Sequence, residues 1–297
     1  MQKTILFLIC LLSLSNQYIS GKAYAEPYHT LKRGVTLKRG VTFAVPDSFT
    51  CGISTVTFDY RGESVTYGTV SHNSECWLDR NLGASQVATA SNDYEAYGDL
   101  FQWGRDDDGH QTIVWSSSSA SDGTEQSRET STLAISDTPG HDDFILAPDS
   151  PYDWRSDNND NRWYTGSNNP CPSGWRIPTE TEWETERGSW VTVDGNTNNS
   201  AGAYGSPLKL TVSGYRGGGN GSLLNVGSYG YYWSSTVSGT NARNLNFNSS
   251  NANMNSNNRA NGFCARCLKD WTFLHLRGGR QTRTPKVFIL INDFHTQ

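Results

Sequence analysis

Residues 230–268 read GYYWSSTVSGTNARNLNFNSSNANMNSNNRANGFCARCL, and ten of the 21 positions from 241 to 261 are asparagine. Asparagine is a poor strand former, yet here it alternates with apolar residues such as Leu245 and Met254. Because strand side chains point to the two faces in turn, this pattern predicts two strands with one apolar face and one amide face. We expect Ser249-Ser250 to form the turn between them.

The amide face is a hydrogen-bonding surface without fixed charge, and tyrosines beside it would add stacking area. Two alternatives stand beside this interpretation: the tyrosines, Tyr232 included, pack within a strand, or the amides belong to an Asn-rich low-complexity tract. The strict alternation favours the strands. The residues expected to contact a ligand are Tyr229, Tyr231, Asn241, Asn244, Asn246, Asn248, Asn251, Asn253, Asn255, Asn257 and Asn258.

The rest of the chain is patterned mostly as short strands separated by Gly, Asn and Ser. An alternating segment that turns at Arg61-Gly62 predicts a hairpin. The capping-box spacing that begins at Thr179 predicts a helix over 180–187. Residues 106–160 are polar without sustained periodicity, so we expect a long surface insertion there. The predicted fold class is α+β, dominated by short strands and long loops, with one or two short helices.

Composition excludes some classes of function. The chain has 297 residues, of which 35% are hydrophobic and 18% charged, with a formal net charge of −5. This balance offers no basic surface, so we expect no nucleic-acid partner. No apolar run beyond residue 20 is long enough to cross a bilayer.

The N-terminus has the features of a secretory signal peptide: Lys3, the apolar run 4–14 and the triplet Ala23-Tyr24-Ala25. We expect cleavage after residue 25 and an exported chain, secreted or held at the cell surface. A buried N-terminal helix is the alternative interpretation. A lipoprotein anchor at Cys10 ranks second as a route to the surface, because Ile9 is a poor fit for the small residue that normally precedes a lipidated cysteine.

Removal of this leader leaves five cysteines, and export makes disulfides the default expectation. Five is odd, so one thiol is spare or pairs between chains. Cys264 and Cys267 have the C-x-x-C spacing of redox sites and zinc ribbons, but no second C-x-x-C and no nearby His pair completes a metal site. The acidic segments 106–109 and 157–161 offer oxygen ligands for calcium without the EF-hand spacing. We therefore predict solvated acidic loops, no metal site and no cofactor.

Four motifs occur in order along the chain, and a fifth closes the segment. They are WLDRNLG at 77–83, YGDLFQWGR at 97–105, PCPSGWRIP at 170–178, YWSST at 232–236 and GFCARC at 262–267. Together they resemble the Fibrobacter succinogenes major paralogous domain family over about residues 50–270. That family is common on exported Bacteroidetes proteins, and the resemblance implies its C-type-lectin-like fold.

The Asn-rich segment further resembles the variable region of proteins diversified by diversity-generating retroelements. In those proteins, template adenines are randomised during reverse transcription, so that asparagine codons become codons for many other residues. The resemblance implies a variable region at about 230–268 whose exposed face, over 237–258, binds a ligand. Many unmutated asparagines suggest a variant close to the template sequence.

The resemblance also implies the disulfide pairing. Cys171 with Cys267 resembles the bridge of the family, and Cys51 with Cys76 is the second expected pair. Cys264 is then the odd thiol, at a position where family members more often have serine.

The implied organisation has four segments. They are a signal peptide at 1–25, an N-terminal extension with the duplicated hexapeptide LKRGVT at 26–50, a C-type-lectin-like domain at 51–270, and a C-terminal tail of unassigned role at 271–297.

The implied function is that of an exported receptor or adhesin without catalytic activity, which binds a protein or glycan on another cell or a phage. The first alternative is a passive structural protein of the surface or cell wall with the same fold. The second is an oxidase like the formylglycine-generating enzymes, which share the fold and use paired cysteines. Against the oxidase, Cys267 is expected to bond Cys171, and the six histidines are scattered along the chain.

Overall fold

The computed structural model describes residues 36–37, 41–42, 49–117, 123–125, 128–163, 168–190 and 198–270. The chain separates into two compact units, which are Thr50–Thr272 and the pair of segments Met1–Phe49 and Phe273–Gln297. In the second unit, β1 (Thr36–Leu37) pairs antiparallel with β2 (Val41–Thr42). Both strands come from the duplicated LKRGVT hexapeptide. The predicted signal peptide and C-terminal tail lie outside the described residues.

The unit Thr50–Thr272 is mostly sheet with few helices, which confirms the α+β class. Its strands are β3 (Val56–Tyr60), β4 (Glu63–Tyr67), β5 (Thr69–His72), β6 (Glu75–Leu78), β7 (Leu100–Gln102), β8 (Ile113–Trp115), β9 (Gly123–Glu125), β10 (Glu129–Thr130), β11 (Phe144–Ile145), β12 (Trp175–Arg176), β13 (Tyr215–Arg216), β14 (Leu223–Leu224), β15 (Gly230–Ser238), β16 (Asn241–Phe247), β17 (Ala252–Asn258), β18 (Gly262–Cys264) and β19 (Leu268–Lys269). Its α-helices are α1 (Glu180–Gly188) and α2 (Ser200–Gly205), and a short 3-10 helix spans Tyr94–Ala96. Among the described residues, no helix has the length and apolar character needed to span a membrane.

Seven strands form the main sheet, in the order β14-β13-β18-β15-β16-β17, with β7 paired to β18. Strands β16 and β17 form an antiparallel hairpin with unbroken register from Asn241 opposite Asn258 to Phe247 opposite Ala252. The predicted turn at Ser249-Ser250 is confirmed. A smaller sheet has the order β12-β19-β6-β5, and the predicted hairpin that turns at Arg61-Gly62 is confirmed as β3–β4.

Strand β15 has buried residues on both of its faces, which places the hydrophobic core on the two sides of the main sheet. Tyr231 and Trp233 belong to one cluster of buried residues, with Trp103. Tyr232, which points the other way, belongs to a second cluster, with Phe247. Because both faces are covered at β15, the strand reads as an aromatic run rather than as an alternation of polar and apolar residues.

Helix α1 covers one face of the hairpin β16–β17. It begins as predicted, because Thr179 and Glu182 make the reciprocal bonds of a capping box. The indole N–H of Trp183 donates to the carbonyl of Trp233 at 3.0 Å. On the same face, Arg243 of β16 donates to Glu180 at 2.7 Å. A second short helix was predicted without a position, and it is α2, whose sequence SAGAYG contains two glycines and has little helical propensity.

The prediction that 106–160 is a surface insertion is wrong in part. The side chains of Phe144, Ile145 and Trp154 from this segment are fully buried. Its polar composition concealed this burial, because charged groups enter the interior as ion pairs. Asp153 lies within the segment, is completely buried, and pairs with Arg162 just beyond it.

His110 is a second buried polar residue of this segment. Its Nε2 accepts the backbone N–H of Gln102 at 3.0 Å, and its Nδ1 lies 2.7 Å from Asp108. Burial, followed by the charge of Arg105, lowers the pKa of His110 to about 4. The folded chain therefore holds this imidazole neutral well below its usual titration range.

We expect the stability contributed by neutral His110 to be lost as the pH falls from about 6.5 to about 4. The folded-state pKa is the lower one, so the unfolded chain takes up the proton first within this window and gains stability relative to the folded chain. The loss is on the order of 3 kcal/mol. Chemical unfolding across this pH range measures it.

The matched control is His110→Gln, whose amide oxygen can accept the same backbone N–H without titrating. The wild type should lose stability relative to this variant on acidification. The difference also removes the opposing effect of Asp107, whose pKa is raised to about 6 by burial and by Asp106. Parallel stability curves for the two proteins would contradict the prediction.

Two disulfides join Cys51 to Cys76 and Cys171 to Cys267. These are the pairs that the resemblance implied, and the remaining thiol, Cys264, is buried. Disulfides form and persist in oxidising compartments. They therefore fit an exported protein.

Candidate functional site

The candidate site is the surface of the hairpin β16–β17 that faces away from α1. Its side chains come from alternate positions of both strands and from the turn. Three are exposed and three are half-buried. We call this surface the amide face; its residues are Asn246, Asn248, Asn251, Asn253, Asn255 and Asn257.

Strand register brings the amides of the two strands side by side. Asn246 lies opposite Asn253, and on the next strand Tyr231 lies opposite Asn246. The one charged residue in the sequence 241–258 is Arg243, which points to the other face and pairs with α1. The amide face therefore presents hydrogen-bond donors and acceptors without a formal charge from its own strands.

Asn244 was predicted as a ligand contact, but the structure buries it completely. Its Oδ1 accepts the side-chain N–H of Asn257 at 2.8 Å. The alternation placed Asn244 on the correct face. Its place close to β15, beside Trp233, removes it from solvent. Asn244 therefore offers no exposed surface to a ligand and instead bonds a neighbouring amide of the site.

Asn241 and Asn258 were also predicted as ligand contacts, and they lie on the face opposite the amide face. They are paired directly opposite each other. They share a face with the pair Arg243 and Ser256, on the side of the sheet covered by α1. The physical reason is the two-residue period: Asn257 and Asn258 are neighbours in one strand and cannot share a face. Asn241 is set apart from Asn244 in the same way.

The turn of the hairpin is built by an amide of the site. Asn248 Oδ1 accepts the backbone N–H groups of Ser250 and Asn251 at 2.7 and 3.0 Å. Asparagine side chains commonly stabilise turns in this manner. Asn248 is therefore both part of the amide face and a determinant of its geometry.

The predicted tyrosines form the edge of the amide face that adjoins the core. The rings of Tyr229 and Tyr231 are stacked, with centroids 6.0 Å apart and planes at 16°. Tyr229 is half-buried, whereas Tyr231 is only 9% exposed. Burial raises the pKa of Tyr231, and its hydroxyl accepts from Asn225 Nδ2 at 3.0 Å. Tyr232 points to the opposite face and is fully buried, as the packing alternative held.

Two residues of the site were missed by sequence reasoning. The ring of Tyr215 lies 4.8 Å from that of Tyr231, and Asn225 orients the Tyr231 hydroxyl. Tyr215 belongs to a two-residue strand and Asn225 to a loop, so neither takes part in a periodic pattern. No signal in the sequence placed them beside the amide face.

We expect two asparagines of the same surface to respond differently to truncation. Asn253→Ala should change the free energy of unfolding by no more than about 0.5 kcal/mol, because Asn253 is exposed. Asn244→Ala should cost about 1–3 kcal/mol, because it removes a fully buried side chain and takes the acceptor from the half-buried amide of Asn257. Denaturant unfolding of both variants measures the difference, and equal costs would contradict the assignment.

The C-x-x-C segment does not provide a pair of thiols. Cys267 is bonded to Cys171. Cys264 is buried, its Sγ lies 2.8 Å from Ser213 Oγ, and burial raises the pKa of its thiol to about 12. A thiol with so high a pKa is almost entirely protonated at neutral pH and is a poor nucleophile.

Each of the two acidic segments considered for calcium contains carboxylates that form ion pairs. Asp108 bonds Arg105 and lies beside His110. Asp157 pairs with Arg155, and Asp160 with Arg259. Within the described part of the chain, no group of three or more His, Cys, Asp or Glu residues is arranged to hold a metal ion.

Comparison of the chain with family models, curated proteins and solved structures gives no significant match.

Proposed function

We propose that this chain is an exported ligand-binding protein with a C-type-lectin-like fold. It acts as a receptor or adhesin at the cell surface or in secreted form, and a retroelement diversifies its amide face. The observation that carries the proposal is the division of the hairpin β16–β17 into two faces. One face packs under α1 and supplies stability. The other face carries six amides, of which three are exposed and three are half-buried.

Contacts among the family-like motifs support the proposed fold. The indole N–H of Trp103 donates to the carbonyl of Ser234, and that of Trp233 donates to the carbonyl of Phe101, at 2.8 and 2.7 Å. Arg266 donates to Asn81 Oδ1 at 3.0 Å. These bonds join motifs that are distant in sequence into one buried frame around β15. Such a frame lets exposed residues of the neighbouring hairpin vary without loss of the fold.

The test of diversification is to sequence the 3′ end of the gene and its flanking DNA across many cells of one population. We expect a nearby near-copy of codons 230–268 that differs at adenines. Substitutions should accumulate at exposed positions such as Asn251, Asn253 and Asn255. If no near-copy exists and these asparagines never vary, diversification is wrong.

The alternative of a passive surface protein differs in one measurable property, which is specific binding through the amide face. The oxidase alternative receives no support from the cysteines, since Cys267 is held in a disulfide.

A further inference from the structure

The chemistry of the amide face limits the ligands that it fits. Each asparagine offers one carbonyl acceptor and two N–H donors. Strands β16 and β17 contain no Asp or Glu, and their one arginine is turned towards Glu180. A charged ligand buried here would lose its hydration without gaining a counter-charge from these strands, which is costly. The face therefore favours an uncharged ligand that both donates and accepts hydrogen bonds.

The spacing of the amides favours an extended ligand with many polar groups. Side chains on one face of a strand recur every ~6.6 Å, and neighbouring strands lie ~4.8 Å apart. Asn246 and Asn253 are direct cross-strand neighbours, and Asn255 follows Asn253 on the same face of β17. One ligand chain lying on the hairpin can meet several of these amides at once. Hydroxyl groups suit them, because each hydroxyl donates one bond and accepts others.

The tyrosine edge adds a flat apolar contact to this polar surface. Tyr229 is half-buried and is backed by the parallel ring of Tyr231, which in turn packs on Tyr215. Asn225 holds the Tyr231 hydroxyl. Rings fixed in this way offer contact area at little cost in conformational entropy. A ligand with C–H faces as well as hydroxyl groups can use both parts of the site.

A protein ligand suits this surface less well. Protein interfaces usually depend on a buried apolar centre with Trp, Tyr or Arg anchors. The strands β16 and β17 project short amides on this side, and their leucine, phenylalanine and methionine lie on the face covered by α1. The two tyrosines lie at one edge instead of the centre.

We propose that the amide face binds an uncharged glycan through hydrogen bonds to its asparagines and ring contact with Tyr229. This inference rests on the function proposed above and specifies the ligand class of the same face. Neither the hydrogen bonds nor the ring contact requires a metal ion.

The test measures binding of the full-length exported chain to immobilised oligosaccharides. The probes are uncharged chains of hexoses and N-acetylhexosamines, together with sialylated and sulfated versions of each chain. We expect binding to uncharged members, unaffected by a chelator or by high salt. The double variant Asn253→Asp with Asn255→Asp should bind about tenfold or more weakly, since the N–H donors of two side-chain amides are lost.

The control is Asn258→Asp, which makes one Asn→Asp change in the same strand but on the opposite face; the single variant Asn253→Asp is its matched counterpart on the amide face. Asn258→Asp should bind as the wild type does, and thermal unfolding should show that all variants are folded. Binding confined to charged probes, binding abolished by the chelator, or no binding to any oligosaccharide would overturn the glycan inference.

A second measurement separates this failure from failure of the proposed function. The same proteins are bound to cells before and after enzymatic removal of surface glycans. Binding that survives deglycosylation but is lost in the double variant overturns the glycan inference and retains the amide face as a protein-binding site. Binding that is unchanged by deglycosylation and is also unchanged in the double variant overturns both the glycan inference and the proposed function of the amide face.

Discussion

The Asp153→Asn variant is expected to lose about 3–5 kcal/mol of its free energy of unfolding, because it breaks a buried ion pair while keeping the side-chain shape. Asp153 accepts two hydrogen bonds from Arg162, at 3.1 and 2.5 Å, and lies 3.5 Å from Arg259. All three side chains are completely buried. The neutral amide would leave two guanidinium groups without their buried counter-charge. Denaturant unfolding of the variant and the wild type measures the loss.

The control for this prediction is Asp160→Asn. Asp160 also bonds Arg259, at 2.6 Å, but its side chain is 57% exposed. Solvent screens such a pair, so we expect a cost of no more than about 1 kcal/mol. Similar costs for the two variants would show that burial does not set the strength of these pairs.

Loss of Asp153 should also weaken the anchoring of the hairpin that carries the candidate site. Arg259 donates to the backbone carbonyls of Gly239 and Asn241, at 2.9 and 3.3 Å, where the chain turns from β15 into β16. Its guanidinium also lies over the ring of Trp103, 4.6 Å from the centroid. The ion pair therefore fixes the start of β16, which is the first strand of the hairpin that carries the amide face.

Removal of the Cys171–Cys267 bond, by Cys171→Ala with Cys267→Ala, is the second change expected to have a large effect. The bond joins residues 96 positions apart, so its loss frees a long loop in the unfolded chain. The chain-entropy relation gives a cost of about 5 kcal/mol for a loop of this length. Unfolding measured in an oxidising buffer tests it.

The other disulfide serves as the comparison. Cys51 and Cys76 are 25 positions apart, for which the same relation gives about 3–4 kcal/mol. The double variant Cys51→Ala with Cys76→Ala should therefore be the more stable of the two. The reverse order would mean that contacts in the folded state, rather than loop length, set the contribution of each bond.

Several elements were predictable because their signals are local. The turn at Arg61-Gly62 and the capping box at Thr179 each need only a few neighbouring residues, and the structure has both. The hairpin β16–β17 and its turn at Ser249-Ser250 followed from a period of two sustained over both strands. The α+β class followed from the same short strands and single clear helix.

The insertion shows where local signals fail. Its polar sequence over 106–160 predicts surface loops, yet it contributes Phe144 and Trp154 to the interior. Asp153 and His110 enter with them because Asp153 pairs with Arg162 and Arg259, and His110 accepts the backbone N–H of Gln102. Composition records how polar a segment is, but the partners that permit burial are set by the fold.

Within the candidate site, the residue pattern alone established that β16 and β17 each have an amide side and an apolar side, because alternation is a property of the strand itself. Which amides reach solvent was decided by the tertiary structure. Asn244 is fully buried beside Trp233, and Asn241 and Asn258 lie on the side of the sheet covered by α1. Exposure depends on which neighbours cover each face, and those neighbours, such as α1 and β15, are brought there by packing between segments that no periodicity connects.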